Sequence, residues 1–94
     1  MRELIEDKEV RILGVNYKIS LFDSPGREDG SMGRSDVMMG KITICKDMPQ
    51  DIQEQTLLHE ILHIIDLNVG TKLTEEQVTA LSAGLYSVIK ENNL

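Results

Sequence analysis

The sequence predicts an α+β domain in which a small, mostly antiparallel sheet of two hairpins precedes two helices. Three observations support this fold. Apolar and polar residues alternate over residues 9–22 and again over 41–45, which is the period of strands with one buried face. A broad apolar surface with helical spacing follows over 57–65, and a second helical pattern begins at Thr74. In a chain of 94 residues these elements fill one domain, which we assign to 1–94.

The strands are expected to form two hairpins. Residues 1–8 are charged and are interpreted as a frayed lead-in. The first hairpin turns near Gly14, and Tyr17 is expected in the core, on the apolar face of its second strand. Residues 23–35 are rich in glycine and charge, so we expect an exposed loop that is either a solvated connector or a flap over the site. Residues 36–45 are typical of a second, tighter hairpin whose last strand turns its isoleucines to the core.

The next helix carries the chemistry. His59, Glu60 and His63 form the pattern H-E-x-x-H, and the two histidines are the only ones in the chain. Residues four apart lie on one face of a helix, so both imidazoles can bind the same metal ion. Glu60 projects about 100° round the helix from His59, which suits it to reach a water held by that metal rather than the metal itself.

Both helices carry boundary signals. The motif helix is expected to begin either at Pro49 or at Asp51 and to end near Leu67. The last helix begins after Thr74, which forms a capping box with Gln77. One apolar stripe of this helix is expected to face the rest of the domain: Val78, Leu81, Leu85, Val88 and Ile89.

A catalytic zinc site normally has three protein ligands, so a third ligand is needed. The candidates are Asp66, Glu75 and Glu76. Asp66 follows His63 by three residues on the same face, which favours a role in orienting the histidine ring. Relative to Val78, Glu75 lies about 60° round the last helix and Glu76 about 160°. We therefore predict Glu75 as the third ligand, with Glu76 as the alternative.

This ligand set indicates amide hydrolysis. Zinc held by His59, His63 and Glu75 lowers the pKa of a bound water and polarises a carbonyl oxygen. Glu60 is then the general base that takes the proton of the water and passes it to the leaving amine. Tyr86 points to the same side as Glu75 but lies about 16 Å further along its helix, so we expect it in the core.

Composition and charge exclude other functions. The formal net charge is −6 and there is no dense basic stripe, which argues against a nucleic-acid partner. The single cysteine, Cys45, allows no intrachain disulfide, and it has no evident base that would make it a nucleophile. No segment is apolar enough for a signal peptide or a membrane span. We expect a cytoplasmic protein with neither nucleic-acid nor membrane partners.

Residues 56–63, 73–78 and 81–86 resemble the compact phage and prophage members of the ImmA/IrrE-like metallopeptidases, which are small zincins of the gluzincin type. The resemblance implies zinc as cofactor, the motif histidines and Glu75 as its ligands, and the motif glutamate as general base. It also implies that a substrate peptide lies along an edge strand beside the motif helix, near 41–45.

The predicted function is a zinc-dependent metallopeptidase of a bacterium or a phage-infected cell. Because a domain of this size offers only a shallow site, its substrates are expected to be flexible segments of polypeptides. The alternative is a non-catalytic, zinc-stabilised interaction or regulatory module of phage or prophage origin.

Overall fold

The computed structural model describes residues 8–22 and 32–94. Its elements in chain order are β1 (Glu9–Ile12), β2 (Val15–Phe22), β3 (Gly33–Asp36), β4 (Lys41–Cys45), α1 (Gln50–Val69) and α2 (Glu75–Glu91). A four-stranded sheet followed by two helices confirms the predicted α+β fold. Most of the predicted lead-in, and the part of the predicted loop over 23–31, lie outside the described residues, so the flap stays a prediction.

The sheet is mostly antiparallel, as predicted. Its strand order is β1-β2-β4-β3, so two antiparallel hairpins are joined by parallel pairing of β2 with β4. The first hairpin turns at Leu13 and Gly14, which have φ values of 48° and 87°. The edge strands are therefore β1 and β3. The expectation of an edge strand at 41–45 is wrong: β4 is interior, and β3 is the edge strand that contacts α1 most.

The second hairpin turns earlier in the chain than the sequence pattern indicated. Residues 33–35 belong to β3 and not to a loop, and 37–40 form the turn and not a strand. The Asp36 side chain closes this turn, because its Oδ1 accepts a hydrogen bond from the backbone N–H of Met39 at 3.1 Å. Gly40, with φ of 65°, provides the left-handed residue that the turn needs.

The core lies between the sheet and α1. It is aliphatic apart from one tyrosine, and its buried members are Ile12, Tyr17, Ile19, Ile42, Ile44, Leu57 and Ile64. Tyr17 and the β4 isoleucines are therefore buried as predicted. Cys45 is buried at the end of β4.

Helix α1 begins at Gln50 with Pro49 as its N-cap, one residue after the earlier of the two predicted starts. It ends at Gly70, whose φ of 76° gives the left-handed C-cap. Glu54, which the alternative start would have paired with Asp51, is buried on α1 instead. Within the described ranges, no helix combines the length and apolar character needed to cross a bilayer.

Helix α2 begins as predicted but packs on a different face. The capping box is present: Thr74 Oγ1 accepts from the backbone N–H of Gln77 at 3.1 Å, and Gln77 Oε1 accepts from that of Thr74 at 2.9 Å. The predicted apolar stripe is wrong in part, since Val78 is buried while Leu81, Leu85 and Val88 are 47%, 44% and 51% exposed. Because α2 packs mainly on α1, the face of α2 that is buried is narrow. It contains Val78 and Ser82, which lie about 40° apart round the helix.

Candidate metal centre

Helix α1 brings the two histidines together. His59 and His63 lie on successive turns, their Nε2 atoms are 3.1 Å apart, and their ring centroids are 4.7 Å apart with the planes inclined at 69°. The side chains are 19% and 32% exposed, so both rings lie at the edge of the core with their nitrogens directed to one point outside it.

The first residue of α2 completes the group. Glu75 Oε1 lies 2.7 Å from Nε2 of His59, and Glu75 Oε2 lies 2.9 Å from Nε2 of His63. Of the two glutamates that the sequence left open, Glu75 therefore joins the histidines, while the adjacent Glu76 does not belong to the group. The Thr74 cap fixes this outcome locally, because it makes Glu75 the first helical residue.

The donor set fits a divalent metal ion. Two imidazole nitrogens and one carboxylate are a ligand combination found in catalytic zinc sites, where the fourth position stays open. Tetrahedral zinc with bonds of 2.0–2.1 Å places its ligand atoms about 3.3 Å apart, so the nitrogen atoms at 3.1 Å need to move only slightly. One ligand atom from each of the three residues lies within 4.8 Å of the others. The group can hold a metal ion, and its geometry is not specific for one element.

Glu60 lies beside this group in a cavity of about 460 Å³. The cavity is bounded by α1, α2 and the start of β3, and His59, Glu60 and Glu75 all line it. Glu60 is only 7% exposed. Its Oε2 is 3.4 Å from the position that a Cβ atom would occupy at Gly33 on the edge strand. A buried carboxylate thus shares one cavity with two of the three candidate ligands.

Gly33 and Thr56 line the same cavity, and sequence reasoning assigned them no role there. A Cβ at Gly33 would lie 2.7 Å from Thr56 Cγ2, so this glycine allows β3 to approach α1 closely. The available signal is the glycine itself, although the sequence pattern predicts a loop at this position.

Asp66 holds the turn between the helices. Its Oδ1 accepts hydrogen bonds from the Thr71 hydroxyl and, at 3.0 Å, from the backbone N–H of Leu73. The hydrogen bond from Thr71, followed by that from Leu73, lowers the pKa of Asp66 below its ordinary value of 3.8. These bonds stabilise the reversal of the chain that returns Glu75 to α1. The predicted orientation of His63 by Asp66 stays a prediction.

Glu54 is a buried charged residue to which sequence reasoning assigned no role in the site. It is 1% exposed, and its Oε1 accepts a hydrogen bond from the Tyr86 hydroxyl at 2.7 Å. The available signal was its position about 20° round α1 from Ile61, on the apolar face of the helix. Tyr86, expected in the core, is half-buried and is outside the cavity lining.

Comparison of the chain with models of protein families, with curated proteins and with solved structures finds no match.

Proposed function

We propose that the protein is a zinc-dependent peptidase of the gluzincin type that hydrolyses peptide bonds in flexible segments of polypeptides. One observation carries the proposal: the donor atoms of His59, His63 and Glu75 converge, and the buried Glu60 lines the same cavity as two of these residues, His59 and Glu75. The resemblance to compact phage and prophage metallopeptidases supports the same assignment, with the cytoplasm of a bacterium or an infected cell as its location.

The residues divide the chemistry between them. Zinc, when bound by two imidazoles and a carboxylate, acidifies a water molecule and polarises a carbonyl oxygen. Glu60 accepts a proton from the attacking water and delivers it to the nitrogen of the leaving amine. Its position in the cavity with His59 and Glu75 puts its carboxylate beside the metal-binding group, and its burial excludes most of the bulk water.

The shape of the cavity supports the substrate class. At about 460 Å³ it is bounded by two helices and one strand, and Glu75 on its rim has a 67% exposed side chain. A chain segment can enter such a site only when it is already free of secondary structure. Flexible loops and termini fit this requirement, whereas a folded domain does not.

The first test is the metal content of the purified protein. We expect nearly one zinc per chain in the parent and clear loss in His59→Ala and Glu75→Ala at equal folded fraction. Glu76→Ala is the matched control, because it removes an exposed glutamate one residue away and should retain zinc. A folded parent that takes up no zinc on dialysis would contradict the proposal.

The second test separates hydrolysis from metal binding. Glu60→Gln should retain zinc, because Glu60 is not among the three candidate ligands. It should reduce the hydrolysis of quenched fluorescent peptides by a factor of about 10² to 10⁴, the usual contribution of a general base. If the zinc-loaded parent hydrolyses none of these peptides, the non-catalytic zinc module becomes the better description.

A further inference from the structure

Helix α2 supplies the third candidate ligand, but few of its residues are fully buried. Its only buried residues are Val78 and Ser82. The Ser82 hydroxyl donates to the backbone carbonyl of Thr79 in the same helix, so this hydrogen bond does not connect α2 to α1. One buried valine is a small anchor for a helix of 17 residues. Some other contact must help to specify how α2 lies on α1.

A buried polar contact provides this specification. The Tyr86 hydroxyl donates to Oε1 of Glu54 at 2.7 Å, and Glu54 is 1% exposed. Gln50 donates to the other carboxylate oxygen at 3.3 Å, and Nζ of Lys90 is 3.8 Å from Oε1. Burial, together with the bond to Glu54, raises the pKa of Tyr86 to about 12.

The two contacts of α2 lie on opposite sides of α1. Glu54 is about 140° round α1 from His59, while on α2 Tyr86 and Glu75 point within about 20° of each other and are about 16 Å apart along the axis. Helix α2 therefore contacts one side of α1 at Glu54, near the start of α1. It contacts the other side further along α1, at His59 and His63. A rotation of α2 that carries Tyr86 away from Glu54 also carries Glu75 away from the histidines.

We propose that Tyr86 and Glu54 are positioning residues of the metal centre. Their hydrogen bond fixes the rotation and crossing of α2, so that the Glu75 carboxylate meets His59 and His63. Neither residue touches the metal or the substrate. The inference rests on the proposed function only in that the group of His59, His63 and Glu75 binds zinc.

The test is the zinc affinity of Tyr86→Phe, measured by competition with a chromophoric chelator at pH 7.5. We expect binding about tenfold weaker than in the parent, at the lower end of what supporting residues contribute to metal affinity. Tyr17→Phe is the matched control, since it removes the same hydroxyl from a tyrosine buried in the sheet. The control should bind zinc as tightly as the parent even where it lowers thermal stability.

The outcomes separate this inference from the proposed function. If Glu75→Ala loses zinc and Tyr86→Phe binds it like the parent, the positioning role is overturned while the metal centre stands. A parent that binds no zinc overturns both.

If Tyr86→Phe does not fold, the parent itself provides the test. Coupling between two sites is reciprocal, so zinc must slow amide hydrogen exchange at 86–91 when Tyr86 and Glu75 are coupled. Exchange at 86–91 that is unchanged by zinc overturns the proposal.

Discussion

Replacement of Gly33 by alanine probes the closest contact between the edge strand and α1. A Cβ at this position would lie 2.7 Å from Thr56 Cγ2, 3.3 Å from the Thr43 carbonyl oxygen and 3.4 Å from Glu60 Oε2. Carbon atoms in contact prefer roughly 3.5–4.0 Å, so the new methyl group is about 1 Å too close to that of Thr56. Either β3 or the Thr56 side chain has to move.

The expected loss of stability follows from two opposing terms. Overpacking in a well-packed region costs about 1–3 kcal/mol. Replacing glycine by alanine in a strand returns about 0.5–1 kcal/mol, because the unfolded chain loses freedom. We therefore expect Gly33→Ala to lower the free energy of unfolding by about 1–2 kcal/mol. Thr56→Ser removes the clashing methyl and by itself costs about 0.8 kcal/mol.

The double variant supplies the decisive comparison. With Cγ2 absent, the alanine at position 33 loses its closest contact, so the two single costs should not add and the coupling should be about 1 kcal/mol. Urea unfolding of the metal-free parent, both single variants and the double variant, followed by far-UV circular dichroism, measures this coupling. If Gly33→Ala is as stable as the parent, or if the two costs add, β3 does not pack on Thr56 as described.

Three further outcomes are expected. Gly70→Ala should lower the free energy of unfolding by about 1 kcal/mol in urea unfolding, because φ is 76° there; no atom lies within 4 Å of the added Cβ, so no clash contributes. Gly84 is equally open but lies inside α2, so Gly84→Ala should raise the free energy of unfolding by about 1 kcal/mol. Asp66 has a lowered pKa when folded, so its stabilising effect is present above its ordinary pKa of 3.8 and is lost as the pH falls through the lower folded value. Asp66→Asn should therefore be less stable than the metal-free parent at pH 6, and unfolding curves of the two should converge in acid. In Tyr17→Phe, ultraviolet titration of Tyr86 should give a midpoint near pH 12. The stability of this variant should fall as the pH rises from 10 towards 12, since folding favours the neutral phenol. A midpoint at 10 would contradict the buried bond to Glu54.

The parts of the candidate site that sequence reasoning predicted are those fixed by one helix or one cap. His59 and His63 approach each other because residues four apart in any α-helix do so. The direction of Glu75 was correct because it was referred to Val78, the one member of the predicted stripe that is fully buried. Leu81 is exposed, so the same angle measured from Leu81 would not have predicted that Glu75 faces the histidines.

The parts that sequence reasoning missed depend on contacts between elements. Strand β3 was assigned to a loop because its sequence, Gly-Arg-Ser-Asp, has no apolar alternation; pairing with β4 and the close approach to Thr56 make it a strand. The stripe on α2 was assigned to the core because apolar spacing shows which face could be buried, not how much neighbouring surface is there to cover it. Among the described elements α1 provides most of that surface, and three of the five residues of the stripe stay exposed.

The same distinction applies to metal binding. The histidines are placed by the backbone of α1 and need no further support, whereas Glu75 reaches them only while α2 is docked. A metal ion that uses all three ligands therefore binds the docked arrangement and not the open one. It stabilises the contact between the helices by an amount set by its own affinity, about 2.7 kcal/mol when the concentration of free metal is one hundred times the Kd. The turn held by Asp66 and the bond from Tyr86 to Glu54 act in the same direction, since each limits the motion of α2 before any ion arrives. Val78 is the only fully buried apolar residue of α2, so docking of α2 depends strongly on these polar contacts and on the metal ligand. The affinity for metal and the stability of the helix pair are thus two measures of the same docking equilibrium.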